Sequence, residues 1–263
     1  MYGSNPHLTL PVGSIWKLTP PLTVSDVLAP TRDFALGLQS FAMDSRGAVY
    51  SVNARNATTP LLALMRRNSD GSIDRIAGSE PGHRDGAGAT AQFTGIDGMA
   101  WAGDGALLVA DGPYVRSVTT DGVVTTLGAK PLTGDSFGED LMGIAAGESG
   151  TFLVADYSAR RVLRIGADAS LSETHTTRFL WAPTGVVEKD GAVYVLEHLR
   201  LPFAILGDLA VGPYLRIERI AADGSVTTLA TLWGSRIWIA LLLLLTIGAV
   251  AAGIRYLHRL RSR

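Results

Sequence analysis

No cysteine occurs among the 263 residues, which excludes disulfides and thiol chemistry while fitting either redox compartment. Fixed catalytic signatures are missing as well. There is no Gly-x-Ser-x-Gly elbow, no phosphate-cradling loop and no His-Glu-x-x-His helix. Gly86-Ala-Gly88 lacks the Lys-Ser/Thr and the strand-then-helix setting of a nucleotide loop. The five histidines (His7, His83, His175, His198 and His258) show no ligand spacing. Met1–Leu8 carries neither the basic nor the apolar stretch of a signal peptide. No acidic residue follows Ser235. Five of the 23 basic residues lie from Arg236 onward and all 24 acids lie before it, so the rest of the chain carries −6. That acidic head argues against nucleic acid as a partner.

What the chain has is repetition. Phe41–Asn53, Met99–Asp111, Ile144–Asp156 and Gly185–Glu197 each read as a short apolar strand, a Gly-containing turn and a second apolar strand ending in Asn, Asp or Glu. Those endings recur every 41 to 58 residues. A period of that length built from short strands predicts the blades of a β-propeller. After each comes a second strand–turn–strand: 61–76, 115–127, 162–174 and 215–229. Asp-Gly pairs at 70–71, 121–122 and 223–224 mark three of these turns, because glycine takes the positive φ a hairpin turn requires. Four antiparallel strands make one blade, and a blade must stack on neighbours to bury both faces.

Gly82-His-Arg-Asp-Gly-Ala-Gly-Ala-Thr-Ala-Gln-Phe93 resembles the inter-blade linker of NHL-repeat propellers, and Leu108-Val-Ala-Asp111 and Leu153-Val-Ala-Asp156 resemble that family's second strand. The counterpart at 133–140 is degenerate. The resemblance spans about residues 14–231. It implies a fold rather than a reaction.

The two ends add context. Residues 237–254 form 18 uncharged residues, about 27 Å as a helix, enough to cross a bilayer core. Trp238, Leu241, Leu245 and Ile254 are its apolar markers, and Arg255 and Arg259 open a basic tail. The positive-inside rule places that tail in the cytoplasm and the propeller outside. The N-terminus reads as the middle of a blade, with 15–27 as an outer half. The expectation is a start that lacks an export signal and one or more blades; the rival is a tail-anchored cytoplasmic propeller.

Strand alternation puts the first-to-second and third-to-fourth turns of every blade on one face and the remaining connections on the other. The second set holds every long insertion (54–60, 78–95, 128–140 and 198–213), so ligand binding is expected there. Leu199, Leu201, Phe203 and Leu206 make the last of these loops unusually apolar, suited to a membrane surface, a partner or a plug in the propeller's mouth. His83 and Arg84 join them as candidate binding residues. Asn53, Asp111, Asp156 and Glu197 end equivalent strands and could converge on the axis. Enzymatic propellers such as the gluconolactonase-like family hold a divalent cation that way, and a hard cation wants several oxygens. The competing reading has these side chains satisfying loop amides. Glu197 and His198 point opposite ways on an extended strand, which weakens them as an acid–base pair. Arg66-Arg67 and Arg160-Arg161 read as solvated strand edges.

The sequence thus predicts an all-β chain. A β-propeller of four-stranded antiparallel blades, about four complete and one partial, spans 1–233, followed by a linker (234–236), a single transmembrane α-helix (237–254) and a basic cytoplasmic tail (255–263). The expected role is a membrane-anchored, extracytoplasmic binding or scaffolding module for a protein, glycan or lipid-linked ligand, without a cofactor. The alternative is a lyase- or lactonase-like propeller enzyme with an axial divalent cation, Ca²⁺ or another.

Overall fold

Strands with apolar residues on both faces have no stable existence singly, and the computed structural model shows how they are stacked. It describes residues 2–3, 15–19, 23–28, 40–53, 62–103, 105–127, 141–166, 168, 170–178, 180–199 and 215–232. A three-stranded sheet comes first, in the order β1 (Tyr2–Gly3), β2 (Ile15–Thr19), β3 (Thr23–Leu28), matching the outer part of a blade. The first complete blade is β4 (Phe41–Met43), β5 (Val49–Asn53), β6 (Leu62–Arg67) and β7 (Ile73–Ser79). A short strand, β8 (Gly86–Ala87), pairs with the outer edge of the second blade. That blade is β9 (Ile96–Trp101), β10 (Ala106–Asp111), β11 (Tyr114–Thr119) and β12 (Val123–Leu127). The third is β13 (Leu141–Ala146), β14 (Phe152–Asp156), β15 (Arg161–Ile165) and β16 (Leu171–Thr176). The fourth is β17 (Trp181–Lys189), β18 (Ala192–Leu199), β19 (Leu215–Ile220) and β20 (Val226–Leu232). All pairings within these sheets are antiparallel and sequential, apart from β8.

Blades meet through their first strands, β4 on β9, β9 on β13 and β13 on β17. Three apolar clusters fill the seams. Tyr50, Leu64, Ile76, Phe93, Met99, Leu107 and Val109 pack between blades one and two. Leu108, Val115, Leu141, Ile144 and Val154 pack between two and three. The third seam is smaller, with Leu153, Val162, Val193, Val195 and Ile220. Burying a side chain of this size contributes about 1.5–3 kcal/mol, so the stacking itself is the main source of stability.

Close approach of the first strands explains their glycines. A Cβ on Gly143 would lie 2.8 Å from both the Gly185 Cα and the Thr184 carbonyl oxygen. Gly98 and Gly143 face Ala110 and Ala155 across their sheets, and Gly185 faces Leu196, so all three occupy the same register position. This shifts the fourth repeat by one residue from its sequence alignment, in which Gly185 matches Met99. The reason is the turn. Asp190 and Gly191, at φ of 52° and 70°, close β17–β18 in two residues, one fewer than the other blades use.

The Gly82–Phe93 linker is anchored rather than loose. Phe93 and Ala91 are buried in the first seam, and the Asp85 carboxylate accepts hydrogen bonds from Thr126 and Arg116. Among the described residues no helix is long and apolar enough to cross a membrane. The predicted span with Trp238, Leu241, Leu245 and Ile254, and the tail with Arg255 and Arg259, lie outside the described residues, as does the counterpart linker at 133–140.

Candidate functional site between the third and fourth blades

Alternation fixes what each second strand presents to the preceding blade. In β10 it is Leu107, Val109 and Asp111; in β18 it is Val193, Val195 and Glu197. The last of each set is an acid buried under the long-loop end of a seam. Each acid is held by an arginine from the next strand of its own blade. Asp111 accepts from Arg116 Nη1 at 2.6 Å, Asp156 from Arg161 Nε at 3.0 Å and Glu197 from Arg216 Nε at 2.5 Å.

Among the described residues, Asp111, Asp156 and Glu197 do not form one group of acids close enough to share an ion. Asp111 Oδ1 also accepts the Thr94 and Gly95 amides at 2.6 and 2.9 Å, and Asp156 Oδ1 accepts the Ala159 amide at 2.9 Å. Asp111 and Asp156 therefore do what the competing reading expected of them. Asn53 pairs with Ala63 at the end of β5 in the first blade. Arg161 is a partner to Asp156 rather than a solvated edge, and Arg66 reaches both Asp74 and the Thr120 carbonyl of the second blade.

Glu197 differs from the other two acids. Across the third seam His175, near the end of β16, meets Glu197 and Glu218, and among the described residues these three form a group whose ligand atoms lie within 4.8 Å of one another. Both glutamates are 0 % exposed and the imidazole 10 %. His175 Nε2 stands 3.2 Å from Glu218 Oε2 and 4.0 Å from Glu197 Oε1. None of the three makes a well-oriented hydrogen bond, although His175 Nε2 and Glu218 Oε2 lie at ion-pair distance. Arg216 contacts the opposite oxygens, 2.5 Å from Glu197 Oε2 and 3.2 Å from Glu218 Oε1, and its guanidinium lies 4.5 Å from the Trp181 ring centre. The third seam thus changes from apolar at its short-turn end to charged at its long-loop end.

Two carboxylates in contact with one guanidinium leave a charge of −1 in a dry seam, which a proton or a cation must balance. Burial pushes the Glu197 carboxyl up to about 7, against the pull of Arg216. Burial also pushes the His175 imidazole below its ordinary value, against the pull of Glu218. Near neutral pH Glu197 is therefore shared between its protonated and charged forms, beside an imidazole that burial biases toward neutral.

Of the remaining candidates, His83 and Arg84 are exposed on the linker. His83 stacks on Tyr114 with ring centres 3.8 Å apart and touches the buried Arg116 at 3.4 Å. Leu199 ends β18 opposite Trp181. Leu201, Phe203 and Leu206 lie outside the described residues. Sequence reasoning missed His175, Arg216, Glu218 and Trp181. The one available signal was the run Arg216-Ile-Glu218, which sets two charges on a face where β15 has Arg161 and Leu163.

No protein-family model matches the sequence, and no curated protein matches it. Solved structures do. A streptogramin B lyase structure superposes with a TM-score of 0.52 at 13 % identity, covering 85 % of this chain and 63 % of that one. A catalytically inactive virginiamycin B lyase from Staphylococcus aureus, solved with quinupristin, superposes with a TM-score of 0.50 at 16 % identity, covering 82 % and 62 %. The chain spans less than two thirds of the length of either. At such identities the likeness shows the β-propeller fold.

Proposed function

We propose that this chain is a propeller enzyme of the lyase or lactonase-like kind, acting at the long-loop end of the third seam. The observation that carries the reading is the set of polar atoms there, on His175, Glu197 and Glu218, that make no well-oriented hydrogen bond. The other seams also carry buried acids, but the oxygens of Asp111 and Asp156 are taken by an arginine and backbone amides. A lyase needs a base to take a proton from substrate carbon, and a lactonase needs one to activate water. Glu197, held near 7, can gain and lose a proton at neutral pH. Arg216 would orient both carboxylates and steady the charge that develops as the proton moves. The superposing structures are a streptogramin B lyase and a virginiamycin B lyase, which makes the lyase class the first to assay.

The proposal keeps the repeat as an NHL-like propeller, the apolar run 237–254 as its anchor and the basic tail 255–263 on the cytoplasmic side. Protease treatment of intact cells or spheroplasts, with a C-terminal tag read in parallel, checks this placement. A digested propeller with a protected tag agrees; the reverse pattern makes it a cytoplasmic, tail-anchored protein.

The enzymatic test uses the full-length chain in detergent with a streptogramin B and a set of small lactones, products being followed by mass spectrometry. Turnover lowered about 100-fold or more by Glu197→Gln supports the reading. A second reading, a binding module without chemistry, draws on the locked pairs Asp111–Arg116 and Asp156–Arg161, which engage both aspartates. Ligand binding with no turnover of any substrate would favour it.

A further inference from the structure

We propose that His175 Nε2, Glu197 Oε1 and Glu218 Oε2 bind one divalent transition-metal ion of the zinc type, in the seam between the third and fourth blades. The inference deepens the proposed function, since it rests on the same seam being its working site.

Three features support a cation there. The first is convergence of unused donors. A tetrahedral ion with ligands at 2.0–2.2 Å needs them roughly 3.3–3.6 Å apart. His175 Nε2 is 3.2 Å from Glu218 Oε2 and 4.0 Å from Glu197 Oε1, and all three ligand atoms lie within 4.8 Å of one another, so side-chain rotation would have to draw them together by up to about 1.5 Å. The second is that the other contacts of these side chains lie behind them. Arg216 holds Glu197 Oε2 and Glu218 Oε1, the oxygens facing away from the imidazole, and is itself stacked on Trp181. Such outer partners aim ligands at a metal. The third is charge: two fully buried carboxylates face one guanidinium, and the excess negative charge attracts a cation.

Donor chemistry narrows the ion. One imidazole nitrogen with two carboxylate oxygens suits zinc-like ions, whereas Ca²⁺ takes six to eight oxygens. Two carboxylates and one imidazole leave a fourth tetrahedral position for water or substrate, the arrangement of catalytic rather than structural zinc. The site differs from an axial one. It draws on β16 of one blade and on β18 and β19 of the next, and leaves Asp111 and Asp156 in their ion pairs.

The test is a Co²⁺ titration of the full-length chain in detergent after chelation and dialysis, read by visible d–d absorption and followed by Zn²⁺ competition. One Co²⁺ per chain, displaced by Zn²⁺, is expected. His175→Gln and Glu218→Gln should each weaken binding by at least about 100-fold, and Asp223→Asn, on an exposed turn, should leave it unchanged. Glu218→Leu serves if the glutamine variant misfolds, because Leu163 fills the matching place in the third blade. Absence of binding, or binding that the His175 and Glu218 variants leave intact, overturns the proposal. Co²⁺ bound at this site without turnover sinks the enzymatic reading and spares the metal. Turnover by a metal-free chain that binds no Co²⁺ does the opposite.

Discussion

Replacing Arg216 by leucine removes the guanidinium that touches both buried glutamates. Two carboxylates, each 0 % exposed, then share a seam with no arginine between them. Breaking a buried pair by deleting one partner costs about 3–5 kcal/mol, because the surviving charge is left uncompensated. Loss of the Trp181 stacking adds about 1 kcal/mol. For a domain of this size each kcal/mol lowers Tm by about 2–4 °C, so Arg216→Leu should lower it by about 8–24 °C at pH 8 in chelator. The loss should shrink at pH 5, where the proton that Glu197 already favours neutralises one of the two charges. Adding Glu218→Leu to Arg216→Leu should restore part of the stability, since a lone Glu197 can stay protonated between apolar neighbours. Thermal melts followed by circular dichroism, in detergent, give all three values. An Arg216→Leu variant within about 1 kcal/mol of the parent at pH 8 would refute the reasoning, for it would mean the seam is wet.

Other outcomes follow from the same structure. Glu197 has a folded pKa of about 7 against an ordinary 4.5, so its contribution to stability is full below pH 4.5 and is lost as pH rises toward 7. At about 1.4 kcal/mol per unit, Glu197→Gln should gain about 3 kcal/mol on the parent between pH 4.5 and pH 8 in metal-free urea unfolding. A difference that is flat with pH would contradict this. His175, lowered by burial, works in the opposite sense: it favours the fold above its ordinary value and weakens it as pH falls, so His175→Gln should steepen the stability loss of the parent with rising pH. Gly143→Ala should destabilise by about 1–3 kcal/mol, because its Cβ meets the backbone of Gly185, while Gly185→Ala meets only Leu196 Cβ at 3.5 Å and should be milder. Asp111→Ala should cost about 1–3 kcal/mol, since it strips the buried Arg116 Nη1 and the Thr94 and Gly95 amides of their acceptor while Asp85 still pairs Arg116, and urea titration reads it directly.

The blades were legible because their signals are local. Period-two alternation in Leu107–Asp111 and Asp-Gly turns at 121–122 and 223–224 depend on neighbours in sequence, and each predicted hairpin is present. The fourth blade's alignment slipped at Asp190-Gly191, where a two-residue turn deletes a position that pattern matching fills with Gly185. The site was legible only in Glu197, marked by its place at a strand end. Its partners come from elsewhere: His175 from an outer strand whose neighbours are exposed, and Glu218 from 21 residues further on. Nothing in the spacing of histidines or acids brings them together; the stacking of two blades does. Asp111 and Asp156 were legible as strand-end acids, but their partners were not. Asp111 and Asp156 each face an arginine and backbone amides that use up their oxygens.

The most direct measurement is anomalous scattering at the zinc edge from crystals of the full chain grown with Zn²⁺. The account predicts one strong peak about 2.0–2.2 Å from His175 Nε2, Glu197 Oε1 and Glu218 Oε2. A seam with no peak, in which the His175 ring donates directly to Glu218 and a proton alone balances the charge, would contradict it.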